Sequence, residues 1–153
     1  TSEDGCLRGR LPKMGVFEGD FRRLITETVE TGRMEPVNFD EAETYEPEDG
    51  WRRVSMAGSD EFSFEWFEKP PGHSSPMHDH ENEQVCLCLR GELTLYTDDD
   101  QVTLQQYDSV WLDSWESHRV ANEGDVLAVG IDVFAPGRSF DFWTDRTDDD
   151  EAE

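Results

Sequence analysis

From Gly50 onward the chain alternates apolar and polar residues with a period of two, in short runs broken by turn signals about every eight to twelve residues, the pattern of a sandwich or barrel. The runs predict strands over 52–56, 62–68, 77–80, 84–89, 92–96, 102–105, 109–112, 118–121 and 126–134. The intervening turns, 57–60, 70–72, 90–91, 98–100 and 123–125, are rich in Gly, Pro or Asp. Helical spacing occurs once, upstream. Phe21, Leu24, Ile25, Thr28 and Val29 recur between a candidate cap at Asp20 and a candidate stop at Gly32, which predicts one short amphipathic helix. The last strand, 126–134, places Leu127, Val129, Ile131 and Val133 on one face. Ala128, Gly130, Asp132 and Phe134 fall on the other, where the small residues leave room for a cavity.

Charge divides the chain. Residues 1–33 carry six basic and six acidic side chains, while the remaining 120 residues carry the entire net charge of −24. The change marks a boundary near Met34, a candidate natural start, and gives three segments: an N-terminal extension (1–33), a β-barrel domain (34–144) and an acidic, disordered tail (145–153). So negative a chain repels nucleic acid and anionic membranes. Acids scattered over 35–153, with only two lysines, look like haloarchaeal composition, suited to molar salt where the Debye length falls to about 3 Å. No run approaches the roughly 18 apolar residues of a membrane span, and no signal peptide opens the chain, so a cytoplasmic location is expected. Three cysteines, Cys6, Cys86 and Cys88, make no disulfide framework and are expected as thiols.

His78 and His80, two apart on an extended segment, project to the same side. His118 follows a later turn, and the inward parity of Gln84 continues to Cys86 and Cys88. Three imidazoles with one amide oxygen suit one divalent ion, Ni, Zn, Fe, Mn or Cu by ligand type. His73 stands in the Pro-Gly turn ahead of this group and reads as a loop residue; the two cysteines read as packing. Asp132, central in an apolar strand, needs a metal, an arginine or a substrate to compensate it if it is buried; its other reading is an acid on a solvent-facing edge.

The frame Gly72, His78, His80, Gln84, Gly91 resembles the first motif of the cupin superfamily. The spacing Tyr107, Asp113, Trp115, His118, Asn122 matches its second, although Tyr107, Asp113 and Trp115 replace the motif's Gly, Pro and Gly. The resemblance implies an all-β fold, the cupin double-stranded β-helix or jelly-roll barrel, here with a short N-terminal helical extension. Two further segments, His78-Asp79-His80-Glu81-Asn82-Glu83-Gln84 and Asp132-Val133-Phe134-Ala135-Pro136-Gly137-Arg138, resemble the KdgF-like cupins of uronate catabolism, in which Gln is the usual fourth ligand. That likeness implies linearisation of 4,5-unsaturated uronates, small anionic sugar acids, by ring opening and ketonisation. It implies a metal held by His78, His80, Gln84 and His118 as Lewis acid, Asp132 as proton relay, Arg138 as carboxylate clamp and Phe134 as pocket wall. Arg138 also reads as a cation solvating its Pro-Gly turn. A cupin dioxygenase using O2 and a non-enzymatic ligand-binding cupin are the alternative functions. A homodimer is expected, with Phe140, Phe142 and Trp143 as its contact segment.

Overall fold

The computed structural model describes Gly32 and residues 34–143. The expected N-terminal helix, Cys6 and the acidic tail lie outside the described residues. Contacts divide the chain into Thr1–Met34 and Glu35–Glu153, and the strands of the described residues lie in the second unit.

Among the described residues nine strands run in the order β1 (Thr44–Glu48), β2 (Trp51–Ser55), β3 (Ser63–Lys69), β4 (Glu83–Arg90), β5 (Leu93–Thr97), β6 (Gln101–Leu104), β7 (Ser109–Leu112), β8 (His118–Ala121) and β9 (Ala128–Ala135). They form two antiparallel sheets, β1-β2-β3-β9-β4-β7 and β6-β5-β8. Between them lies one apolar core, in which Phe67, Cys86, Cys88 and Ala128 from the large sheet meet Leu93, Leu95, Leu104 and Val120 from the small one. Both cysteines are free and fully buried, as packing residues should be. No helix among the described residues is long and apolar enough to cross a membrane.

The parity of β9 holds. Ala128, Gly130, Asp132 and Phe134 are its buried face, so the solvent-edge reading of Asp132 is excluded. Gly130, however, opens no cavity. A Cβ there would stand 2.4 Å from Cζ of Phe67, whose ring fills the space that the missing side chain leaves.

Four elements depart from the periodicity. β1 carries Pro47 and two glutamates, a sequence that argues against a strand, yet it pairs only with β2 at the edge of its sheet, where proline is tolerated. Residues 77–80 form no strand. They meet β8 through one isolated bridge, in which His78 and His118 exchange N–H···O bonds of 2.9 and 2.8 Å. Val126 and Leu127 stay outside β9 and exposed. Residues 141–143 make a single helical turn, and Phe140 and Trp143 pack on Trp51 with Tyr45 and Phe142 alongside. The aromatic segment expected at a dimer contact is therefore folded against its own barrel.

The backbone explains why the motif spacing survives altered side chains. Tyr107 (φ 73°) and Trp115 (φ 63°) are the two non-glycine residues with left-handed backbone among the described residues, and they occupy the two glycine positions of the second motif. The turns are kept at the cost of strain on the order of 1 kcal/mol each. Asn122, the motif's last residue, is fully buried and donates to the carbonyls of Lys69 and Val126, while its own backbone bonds His73 and Gly72. It fastens the turn that leads into the histidine segment.

Candidate metal centre

His78 and His80, from the segment before β4, meet His118, the first residue of β8, with one ligand nitrogen from each lying within 4.8 Å of the others. Their ring centroids are 4.5, 5.0 and 5.7 Å apart. In every ring Nδ1 faces a backbone carbonyl: Pro76 for His78 at 2.8 Å, Asn82 for His80 at 2.9 Å and Glu116 for His118 at 2.7 Å. A carbonyl only accepts, so each Nδ1 carries the proton and each Nε2 presents a lone pair. Burial pushes His78 down to about 3 and His80 to about 4, and lowers His118 as well, so all three imidazoles are neutral, the ligating form.

Two further observations fit a cation at this point. His118 Nε2 is buried and has no hydrogen-bond partner, which is costly for a polar atom unless something else binds it. Gln84 Oε1 lies 3.2 Å from His80 Nε2, an acceptor facing an acceptor. The amide is held that way round because its Nε2 donates to Asp132 Oδ1 at 2.8 Å. Converging lone pairs repel unless a positive ion sits between them. His78, His80, His118 and Gln84 thus fit one divalent ion, as three imidazoles and a neutral oxygen.

Asp132 is compensated by an arginine. Its Oδ2 accepts from Arg53 at 2.7 Å, Arg53 Nε reaches Glu65 at 3.2 Å, and the other Glu65 oxygen accepts from Arg138 Nε at 3.0 Å. Two acids and two bases, all almost fully buried, form one neutral chain. Burial, the largest single influence, would raise the Asp132 carboxyl; the charges of Arg53 and Arg138 and the hydrogen bonds from Arg53 and Gln84 together outweigh it and hold the group below its ordinary value. Arg138 is pushed down to about 10, chiefly by burial, and its Nη1 is a buried donor without a partner. The turn-solvating reading of Arg138 is thereby excluded. Its guanidinium lies 3.5 Å over the ring of Phe134 and 4.4 Å over that of Phe142. Phe134, expected as pocket wall, is fully buried beneath it, with His80 at its edge, and supports the site from below.

The structure brings all seven expected residues together. On one side of the centre, His80, Arg138, Trp115 and Phe142 border an open cleft of about 520 Å³, a size suited to a small ligand. On the other, Arg53, Lys69, His78, Gln84, Asp132 and Arg138 enclose a space of about 10 Å³, room for one water. Arg53, Glu65 and Lys69 are the residues that reading the sequence missed. For the two bases the signal was scarcity: residues 34–153 hold only seven basic side chains, and Arg53, Lys69 and Arg138 are all buried at this site, whereas Glu65 is one acid among many.

The sheets and the matched segment define this as a cupin-fold protein, for residues 65–134 match the family model described as the cupin domain. Three solved structures share the fold. An RmlC-like cupin from Shewanella frigidimarina is 21% identical with a TM-score of 0.63, over 72% of this chain and 96% of that one. KdgF from Halomonas sp. is 20% identical with a TM-score of 0.62, over 71% and 99%. The polyketide cyclase RemF from Streptomyces resistomycificus is 18% identical with a TM-score of 0.58, over 68% and 80%. Comparison with curated protein sequences gives no match.

Proposed function

We propose that the protein is a metal-dependent cupin enzyme acting on a small sugar acid, and that it opens and ketonises 4,5-unsaturated uronates. The observation that carries this reading is the pairing of a neutral donor set with the unpaired buried Nη1 of Arg138 beside it. With no carboxylate among the ligands, the site keeps the full charge of its ion and favours an anion. The likeness of 78–84 and 132–138 to the KdgF-like cupins and the fold shared with KdgF support the same substrate class.

A divalent ion bound by His78, His80, His118 and Gln84 would supply Lewis acidity toward a substrate oxygen. Arg138 binds the uronate carboxylate through Nη1, its Nε remaining on Glu65. Asp132, kept ionised by Arg53, is an acceptor; it takes the proton of the hemiacetal hydroxyl at Oδ1 as the ring opens and returns it to carbon as the enol becomes a ketone. Gln84 orients Asp132 and is oriented by it.

The metal-loaded protein is expected to accelerate the loss of ultraviolet absorbance of a 4,5-unsaturated uronate over the spontaneous rate. No acceleration would sink the enzymatic reading. One feature favours a ligand-binding cupin instead, since both Asp132 oxygens are already engaged within the protein. Tight binding of uronates without turnover would select that alternative. The proposal extends to the surroundings: a −24 charge suits a halophilic cytoplasm, and a second copy suits a sheet with β1 and β7 at its edges.

A further inference from the structure

Lys69 has no part in the mechanism above, yet it is one of the most deeply buried side chains, 1% exposed at the end of β3. It makes no ion pair among the described residues. Its Nζ lies 2.8 Å from His73 Nδ1 and 4.1 Å from the centre of the Trp51 ring, and the side chain borders the one-water space that Asp132, Arg53 and His78 share. On the far side of the imidazole, His73 Nε2 stands 2.5 Å from Oε2 of Glu48, whose side chain is 53% exposed. The three groups come from β3, the turn after it and β1, and Asn122 fastens the turn by bonding the backbone at both Lys69 and His73. A buried amine is thus linked to water by two hydrogen bonds through one imidazole.

We propose that Glu48, His73 and Lys69 form a proton relay between solvent and the buried space behind the metal centre, with the Lys69 amine as its inner end. The inference goes beyond the uronate reading and does not depend on it.

The tautomer follows from the partners. A carboxylate only accepts, so His73 carries its proton on Nε2, and Nδ1 accepts from the Lys69 ammonium. To discharge the amine, one N–H bond of Lys69 breaks as Nδ1–H forms, while Nε2–H breaks as Glu48 Oε2–H forms; Glu48 then releases the proton to water. What remains is a neutral amine accepting from Nδ1–H, so the inner hydrogen bond persists, while Nε2 and the Glu48 carboxylate, now both acceptors, are bridged by a water donated from solvent at the exposed Glu48. The reverse sequence recharges Lys69.

Such a relay works only if the amine can exist in both forms near neutral pH. Burial disfavours the ammonium most, and the Arg53 guanidinium on β2 adds to that. Asp132 on β9, Glu48 on β1 and the Cys86 thiol on β4 oppose both, and the balance leaves Lys69 at about 7.

The chain contains two lysines, Lys13 and Lys69. Full-length, metal-loaded protein labelled with ¹³C at lysine Cε therefore gives two side-chain resonances, and Lys69→Arg identifies which is which. The Lys69 resonance is expected to titrate near 7. Glu48→Gln and His73→Gln are expected to move the Lys69 midpoint and to slow its amine hydrogen exchange with solvent by tenfold or more. Two lysines titrating near 10 would overturn the proposal. So would a low Lys69 midpoint whose exchange rate is unchanged in both variants, for the amine would then be buried but unconnected.

Discussion

Arg53→Met is expected to lower the free energy of unfolding by about 3–5 kcal/mol, the usual consequence of leaving a buried ion without its partner. Arg53 joins two buried acids, Asp132 at 2.7 Å and Glu65 at 3.2 Å, all three side chains no more than 4% exposed. Its removal leaves Asp132 without an ion pair, since Arg138 pairs with Glu65 and Lys69 makes no ion pair among the described residues. Urea denaturation measures the loss as a lower midpoint at unchanged slope. The double variant Arg53→Met/Asp132→Leu should recover much of it, because a buried pair replaced by apolar side chains of similar bulk is often close to neutral. A loss below about 1 kcal/mol in Arg53→Met would show that Asp132 and Glu65 find other partners, and would remove the account of why an acid stands in the middle of β9.

Asp132→Asn is expected to reduce turnover of an unsaturated uronate by about 10²- to 10⁴-fold, the range for loss of a positioned acid–base group. The change keeps the shape of the side chain but removes its capacity to carry a proton. It also alters the partner of Gln84, whose amide is turned toward the histidines by donating to Asp132. Metal affinity should therefore weaken as well, by about 10- to 100-fold. Kinetics at saturating metal separate the two effects. A turnover number within threefold of the parent protein under those conditions would remove Asp132 from the chemistry and leave it as a positioning residue for Gln84.

The histidine triad was legible in sequence because its geometry is local: two residues on one side of an extended segment and a third beside a turn whose spacing survives even with Tyr107 and Trp115 in left-handed conformation. Asp132 was legible as an anomaly, an acid inside an apolar strand. Its partner was not, because Arg53 lies 79 residues away and comes beside it only after β2, β3 and β9 pair. In β3 the alternation conceals the site. Phe64 and Trp66 form the half-buried outer face, and Glu65, Phe67 and Lys69 turn inward, so the more polar side of that strand is the one that builds the site. β1 was hidden by a proline and two acids that only an edge strand accepts, and the aromatic run at 140–143 carried no sign that it would close on Trp51 rather than on another molecule.

Metal content is the most direct test of the central claim, that His78, His80 and His118 with Gln84 hold one divalent ion. Protein purified, stripped with a chelator and then dialysed against Ni, Zn, Fe or Mn is expected to retain one equivalent per chain of at least one of these, and His118→Ala less than about one tenth of that under the same conditions. Retention of the same amount by His118→Ala, or of none by the parent protein with any of the four ions, would contradict it.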